Sequence, residues 1–131
     1  MLGEDDEASA NATARFLRLA EYDVTLASSG LLAVGCARQI PHPDIIVTDV
    51  AMPGMGGFAL AENLRAHAAT KHIPIIFLTG DGSGGSLMHG LRSGGAYYLV
   101  KPLNPELLLS SIENALRERD LWIKKGFRQT P

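Results

Sequence analysis

The sequence predicts an α/β fold in which a five-stranded parallel sheet carries helices on both faces. Short apolar runs rich in β-branched residues alternate with helical patterns, and short connections repeat this β-α order five times. The clearest run, Ile45-Ile46-Val47, is typical of a strand buried on both faces. Right-handed crossovers then bring the carboxyl ends of all the strands to one edge of the sheet.

The predicted elements follow one another in order along the chain. The first strand has at most the four residues before Asp5, and the other strands are expected at 22–27, 45–48, 73–78 and 97–100. Turn and cap residues separate them from helices expected at about 9–21, 31–39, 58–69, 86–92 and 105–123. The fourth of these helices is weak because it lies in the glycine-rich stretch 80–95.

Composition limits the class of protein. A chain of 131 residues with 46% apolar residues forms one domain, here assigned to 1–123, with a basic tail or linker at 124–131. The net charge of −2 argues against direct nucleic-acid binding, and Cys36, the only cysteine, excludes an internal disulfide. No apolar run approaches the roughly 18 residues of a membrane span. The acidic N-terminus is unlike a signal peptide, so we expect a cytoplasmic protein without membrane contact.

Polar side chains stand where the predicted strands end. They are Asp5 and Asp6 after the first strand, Asp49 after the third, Thr79 after the fourth and Lys101 after the fifth. Crowded carboxylates raise one another's pKa values, and Mg²⁺ removes this penalty while leaving room for phosphate oxygens. Lysine and threonine side chains suit a phosphoryl group. The set therefore predicts a carboxylate nucleophile that accepts a phosphoryl group with metal assistance.

The chain resembles the receiver domain of a two-component response regulator over about residues 2–121. The resemblance rests on Asp5-Asp6-Glu7, on Asp49 with Met52-Pro53-Gly54 and Gly57 after it, on Thr79-Gly80, and on Lys101-Pro102. It implies a flavodoxin-like fold with strand order 2-1-3-4-5. It also implies a cis peptide bond between Lys101 and Pro102.

The resemblance further implies a role for each site residue. Asp49 is the phosphoacceptor, Asp6 binds Mg²⁺ directly, Asp5 assists through water, and the Ala51 backbone carbonyl is a further ligand. Thr79 and Lys101 bind the phosphoryl oxygens, and Thr79 and Tyr98 form the switch. Such a protein is not an enzyme in the ordinary sense, although it catalyses its own phosphorylation and slow autodephosphorylation.

The implied partners are a sensor histidine kinase or a phosphotransfer protein, which supplies the phosphoryl group. A homodimer is expected through the face formed by the fourth helix, the fifth strand and the last helix.

The alternative is a receiver-like module that binds partners without phosphorylation. Two other classes are disfavoured: Gly80–Gly85 fits a dinucleotide fingerprint, but the next strand ends in Lys101 rather than an acid, and Ala51 replaces the second acid of an aspartate-nucleophile phosphatase.

The first strand departs from the family pattern. Glu4 stands where the family usually has an apolar residue, so the acidic pair is two of Glu4, Asp5 and Asp6. The spacing to Asp49 favours Asp5 and Asp6 as that pair.

Overall fold

The computed structural model describes residues 1–80, 88, 92 and 94–126 and contains a five-stranded, all-parallel sheet. Its strand order is β2-β1-β3-β4-β5, as the resemblance implies. The strands are β1 Leu2–Gly3, β2 Leu26–Ala27, β3 Ile46–Asp49, β4 Ile75–Thr79 and β5 Tyr97–Val100. The described helices are α1 Glu7–Leu19, α2 Gly30–Arg38, α3 Gly57–Arg65 and a C-terminal helix Pro105–Gly126.

Most of the predicted 86–92 helix lies outside the described residues, although Met88 and Arg92 are both helical. The 124–131 tail is described only to residue 126, where it continues the C-terminal helix. None of the helices in the described part of the chain is long and apolar enough to cross a bilayer.

The first strand is short but firmly held between β2 and β3. Leu2 pairs with Leu26 on one side and Val47 on the other, and its side chain is buried. Backbone hydrogen bonds continue the pairing to Met1, whose carbonyl accepts from Val47 N at 2.9 Å, and to Glu4, whose N–H donates to Ala27 O at 3.0 Å. The edge strand β2 is shorter than predicted. Its neighbour in the sheet is β1, which has two residues and therefore pairs with two residues of β2.

The core lies on both faces of the sheet because the β4 side chains alternate between them. Ile75 and Phe77 point to the α2 and α3 face, where they pack with Ala33, Leu60 and Leu64. Ile76 and Leu78 point to the α1 and C-terminal helix face, with Leu17, Leu108 and Ile112. Two helical layers therefore fix the sheet, and the carboxyl ends of β3, β4 and β5 meet at one edge.

The turn that follows helix α1 contains a residue that tolerates its conformation poorly. Glu21 has a φ of 72°, and its N–H donates to Arg18 O at 3.0 Å while Tyr22 N donates to Leu17 O at 3.1 Å. Glu21 thus adopts the left-handed backbone conformation that often follows the end of an α-helix. Glycine is favoured at this position, because a Cβ atom is crowded there.

Glu21→Gly is expected to raise the unfolding free energy by about 0.5–1 kcal/mol, because it relieves this crowding at an exposed position. Urea denaturation of both proteins measures the change. Glu21→Ala removes the same charge but keeps Cβ, so it should bring little gain; an equal gain from alanine would assign the effect to charge.

Candidate functional site

Asp49 ends β3, and its side chain is buried at the edge where the parallel strands finish. The following loop folds back tightly, because Gly57 N donates to Val50 O at 2.8 Å. A Cβ atom on Gly57 would collide with the Asp49 carbonyl oxygen, and one on Gly56 would lie 2.7 Å from Val50 O. The two glycines therefore let the start of α3 approach the end of β3 and fix the backbone of the acid.

Lys101, directly after β5, places its ammonium group against the Asp49 carboxylate. Its Nζ lies 2.9 Å from Oδ1 and 3.0 Å from Oδ2, and it donates its hydrogen bond to Oδ2. Nζ also lies 3.5 Å from Glu4 Oε1. Burial alone would lower the pKa of Lys101, but the bond to Asp49 and the charges of both acids outweigh it and raise that pKa.

Glu4, Asp5 and Asp49 form a carboxylate cluster at this edge. One oxygen from each lies within 4.8 Å of the others, and Glu4 and Asp49 are buried while Asp5 is exposed. Burial, followed by the hydrogen bond with Asp49, raises the pKa of Glu4. Oδ1 of Asp49 is buried and, apart from its ion pair with Lys101, has no hydrogen-bond partner among the described residues. Three carboxylates with an oxygen in this position fit a hard divalent cation.

Asp6 lies outside this cluster, which differs from the sequence-based assignment. It is the N-cap of α1: its Oδ2 accepts from Ser9 Oγ at 2.6 Å and from Ser9 N at 3.3 Å. These bonds from Ser9 lower the pKa of Asp6. The structure therefore brings Glu4 and Asp5, rather than Asp5 and Asp6, beside Asp49. The sequence feature that could have identified Asp6 as a cap rather than a ligand is the preference for aspartate directly before a helix.

The other predicted site residues occupy positions around this cluster. Thr79 is buried at the end of β4, one residue beyond Leu78, the register partner of Asp49. Tyr98 is half-buried on β5 and its ring stacks on Phe58, with centroids 6.5 Å apart. Ala51 lies in the loop after β3 with its side chain exposed. The Lys101–Pro102 peptide bond is cis, as predicted.

The raised pKa of Glu4 should make stability depend on pH in a defined direction. The folded state holds this proton more tightly than the unfolded chain does, so the stabilisation is complete below the ordinary pKa of 4.5 and is lost as pH rises through the raised value. Glu4→Gln removes this effect. We expect the fall in unfolding free energy from about pH 4.5 to pH 7.5 to be smaller in the variant.

Urea denaturation without divalent cations measures that fall. Glu113→Gln, at an exposed position on the C-terminal helix, is the matched control and should keep the wild-type pH dependence. An unchanged profile for Glu4→Gln would contradict the burial of a charged Glu4 beside Asp49.

Comparisons with known proteins agree with this geometry. The model of the response regulator receiver domain family matches residues 1–113. Response regulator PleD of Caulobacter vibrioides is 33% identical over 87% of the chain, which spans only 25% of that protein. A crystal structure of a putative response regulator from Chloroflexus aurantiacus superposes with a TM-score of 0.84 at 34% identity, covering 88% of this chain and 94% of that one.

A third similar structure holds a metal. The receiver domain of a sensor histidine kinase from Pseudomonas aeruginosa, with a magnesium ion coordinated in its active site cleft, has a TM-score of 0.79 and 29% identity. The match covers 88% of this chain and 93% of that one.

Proposed function

Because the chain belongs to the response regulator receiver domain family of two-component signalling, we propose that it is a switch that accepts a phosphoryl group on Asp49. The observation that carries this proposal is the buried Asp49 carboxylate with the Lys101 ammonium about equally close to both of its oxygens. The donor is a phosphohistidine of a sensor histidine kinase or a phosphotransfer protein.

The transfer needs a nucleophile, a leaving group and charge stabilisation. A carboxylate oxygen of Asp49 forms the new bond to phosphorus, while the bond between phosphorus and the donor nitrogen breaks and its electron pair stays with the imidazole. Negative charge spreads over the three other phosphoryl oxygens. The Lys101 ammonium stabilises that charge, and we assign the Thr79 hydroxyl as a second donor to it.

The carboxylate cluster supplies the cation site of this proposal. Glu4, Asp5 and Asp49 would hold Mg²⁺, with the Ala51 carbonyl as a further ligand. The buried Asp49 Oδ1, which has only the ion pair with Lys101 among the described residues, supports this assignment. Bound Mg²⁺ would neutralise part of the charge on the acids and the incoming phosphoryl group.

The output of the switch is assigned to β5 and its neighbours. A phosphoryl group on Asp49 would draw in the Thr79 hydroxyl, and Tyr98, now stacked on Phe58, would repack. The face formed by the 86–92 segment, β5 and the C-terminal helix would then bind a partner or a second copy of the chain. We place the domain boundary after residue 123, with the remaining residues as a linker.

Phosphorylation by a small acyl phosphate tests the proposal directly. Wild-type protein incubated with acetyl phosphate and Mg²⁺ should gain one phosphoryl group by intact-mass spectrometry, and Asp49→Asn should gain none. The same adduct on Asp49→Asn would remove Asp49 from its role. Wild-type protein that stays unmodified, by acetyl phosphate and by a phosphorylated histidine phosphotransfer protein, would favour the phosphorylation-independent binding module.

A pair of adjacent substitutions tests the cation site. Mg²⁺ should raise the melting temperature of the wild type, because a ligand that binds only the folded state stabilises it. We expect Asp5→Asn to lose this rise and Asp6→Asn to keep it, since asparagine still caps α1 and Asp6 is outside the cluster. The opposite result would restore Asp6 as the direct ligand. Both variants remove one acid from the run Glu4-Asp5-Asp6-Glu7, so they are matched in charge.

A further inference from the structure

A second concave site, called the second cavity below, lies at the edge of the sheet opposite Asp49, where the strands begin. Its volume is about 510 Å³, within the range of small-molecule sites. The connection from α3 to β4, the residue before β5 and one side of the C-terminal helix form its walls. Pro74 precedes β4 and Ala96 precedes β5, whereas the phosphoacceptor site lies where β3, β4 and β5 end. The cavity is therefore separate from that site.

The wall of the cavity carries positive charge that the described residues do not neutralise. Arg65 donates hydrogen bonds to the carbonyl oxygens of Lys71, Ile73 and Gly94 at 3.0, 2.9 and 2.7 Å, all of them uncharged. Among the described residues neither Arg65 nor Lys71 forms an ion pair with a carboxylate. Burial lowers the pKa of His72, and the charges of Lys71 and Arg65 lower it further. The lack of a carboxylate partner for Arg65 and Lys71, and the effect of their charges on the pKa of His72, both indicate a positive local potential.

The other charges of the wall have partners, although Glu118 keeps its negative charge because its partner is an uncharged hydroxyl. Glu118 accepts a hydrogen bond from the Tyr97 hydroxyl at 2.6 Å. Arg119 forms ion pairs with Asp44 at 3.2 Å and Asp120 at 2.9 Å. Among the described residues of the wall, Arg65 and Lys71 are therefore the cations without a carboxylate partner that could face an anion in the cavity.

The rest of the lining is apolar and includes a flat aromatic surface. Pro74, Ala96 and Ala115 are small and leave space between the sheet and the helix. The side chain of Trp122 is 44% exposed, and its ring lies 4.8 Å from that of His72. An indole with this exposure can stack on a planar ring, and cations nearby can hold a negatively charged group on it.

We propose that this cavity binds a small aromatic anion, with its ring against Trp122 and its carboxylate, sulfonate or phosphate directed to Arg65 and Lys71. The site is spatially separate from the phosphoacceptor site, because it shares no residue with the Asp49 cluster.

Trp122 makes the test direct, because it is the only tryptophan in the chain. The probe is 8-anilinonaphthalene-1-sulfonate, with neutral N-phenyl-1-naphthylamine as its uncharged counterpart. The sulfonate should quench Trp122 saturably, with energy transfer to the probe, and should bind at least about tenfold more tightly than the neutral compound. Equal affinity of the two compounds, or probe fluorescence without energy transfer from Trp122, would overturn the proposal.

Substitutions at exposed positions of the wall locate the binding. Lys71→Gln should weaken sulfonate binding about fivefold, which corresponds to the upper end of the energies found for surface ion pairs. Ala96→Glu should abolish binding, because it adds a negative charge to the wall. Lys124→Gln makes the same change of charge on the C-terminal helix outside the cavity wall and should have no effect. Unchanged affinity in both wall variants, with folding confirmed by circular dichroism, would place the probe elsewhere and refute the assignment.

Discussion

Replacing Gly57 with alanine is expected to destabilise the domain by about 2–3 kcal/mol and to impair phosphorylation of Asp49. The new Cβ would collide with the Asp49 carbonyl oxygen and would lie 3.1 Å from the Asp49 carbonyl carbon and from Val50 Cα. These are backbone atoms that cannot rotate away, so the end of β3 or the start of α3 must move. Urea denaturation measures the first effect, and the rate of phosphorylation by acetyl phosphate measures the second.

Gly35→Ala is the matched control for this substitution. Gly35 lies within α2, and a Cβ atom added there would meet nothing within 4 Å. This variant should gain about 0.5–1 kcal/mol, as alanine does over glycine inside a helix, and should phosphorylate at the wild-type rate. If Gly57→Ala were as stable and as active as the wild type, the close approach of α3 to β3 would not be required.

Removing the Lys101 ammonium is the second substitution with a large expected effect. In Lys101→Met, Glu4 and Asp49 remain close together without their shared cation. Breaking a fully buried pair in this way costs about 3–5 kcal/mol, but Lys101 is 38% exposed and water screens the loss. We therefore expect a destabilisation of about 1–3 kcal/mol at neutral pH without Mg²⁺. Phosphorylation should slow about 100-fold, as when one charge-stabilising donor is lost.

The pH dependence of this loss identifies its cause. Acidification protonates Glu4, whose pKa is raised by burial, and so relieves the repulsion that Lys101 otherwise balances. The difference between Lys101→Met and wild type should therefore shrink as pH falls toward 4.5, the ordinary pKa of glutamate. Lys124→Met, at an exposed position, should change stability by less than about 0.5 kcal/mol at either pH. A loss that does not vary with pH would point to packing of the lysine stem instead.

The sequence predicted the sheet and most of the site because both depend on where strands end. The runs at β3 and β4 are apolar and β-branched, so their last residues, Asp49 and Thr79, could be placed at the sheet edge directly. The order of the strands came from the resemblance. The start of the chain was harder, because Glu4, Asp5 and Asp6 are consecutive acids and no pattern distinguishes them. Extending the pairing to Glu4 N leaves Asp6 to cap α1.

The second cavity could not be predicted from local patterns. Its walls come from segments that are distant in the chain and polar or small in character, such as Lys71, Ala96 and Glu118. Such residues are typical of ordinary surface positions until the fold brings them together. The same is true of the ion pair between Arg119 and Asp44, which joins the C-terminal helix to the loop before β3.

The C-terminal helix has a mechanical consequence. It contains 22 residues, continues past residue 113, where the family match ends, and is tied to β5 by the bond between Glu118 and Tyr97. Tyr97 directly precedes Tyr98, so the strand proposed as the switch and the helix share an attachment point. The eight residues beyond Glu118 form a rod of about 12 Å, so a tilt of about 5° at that attachment moves the end of the helix by about 1 Å. In the proposed switch, the helix would therefore act as a lever that carries a small rotation at β5 to its C-terminal end.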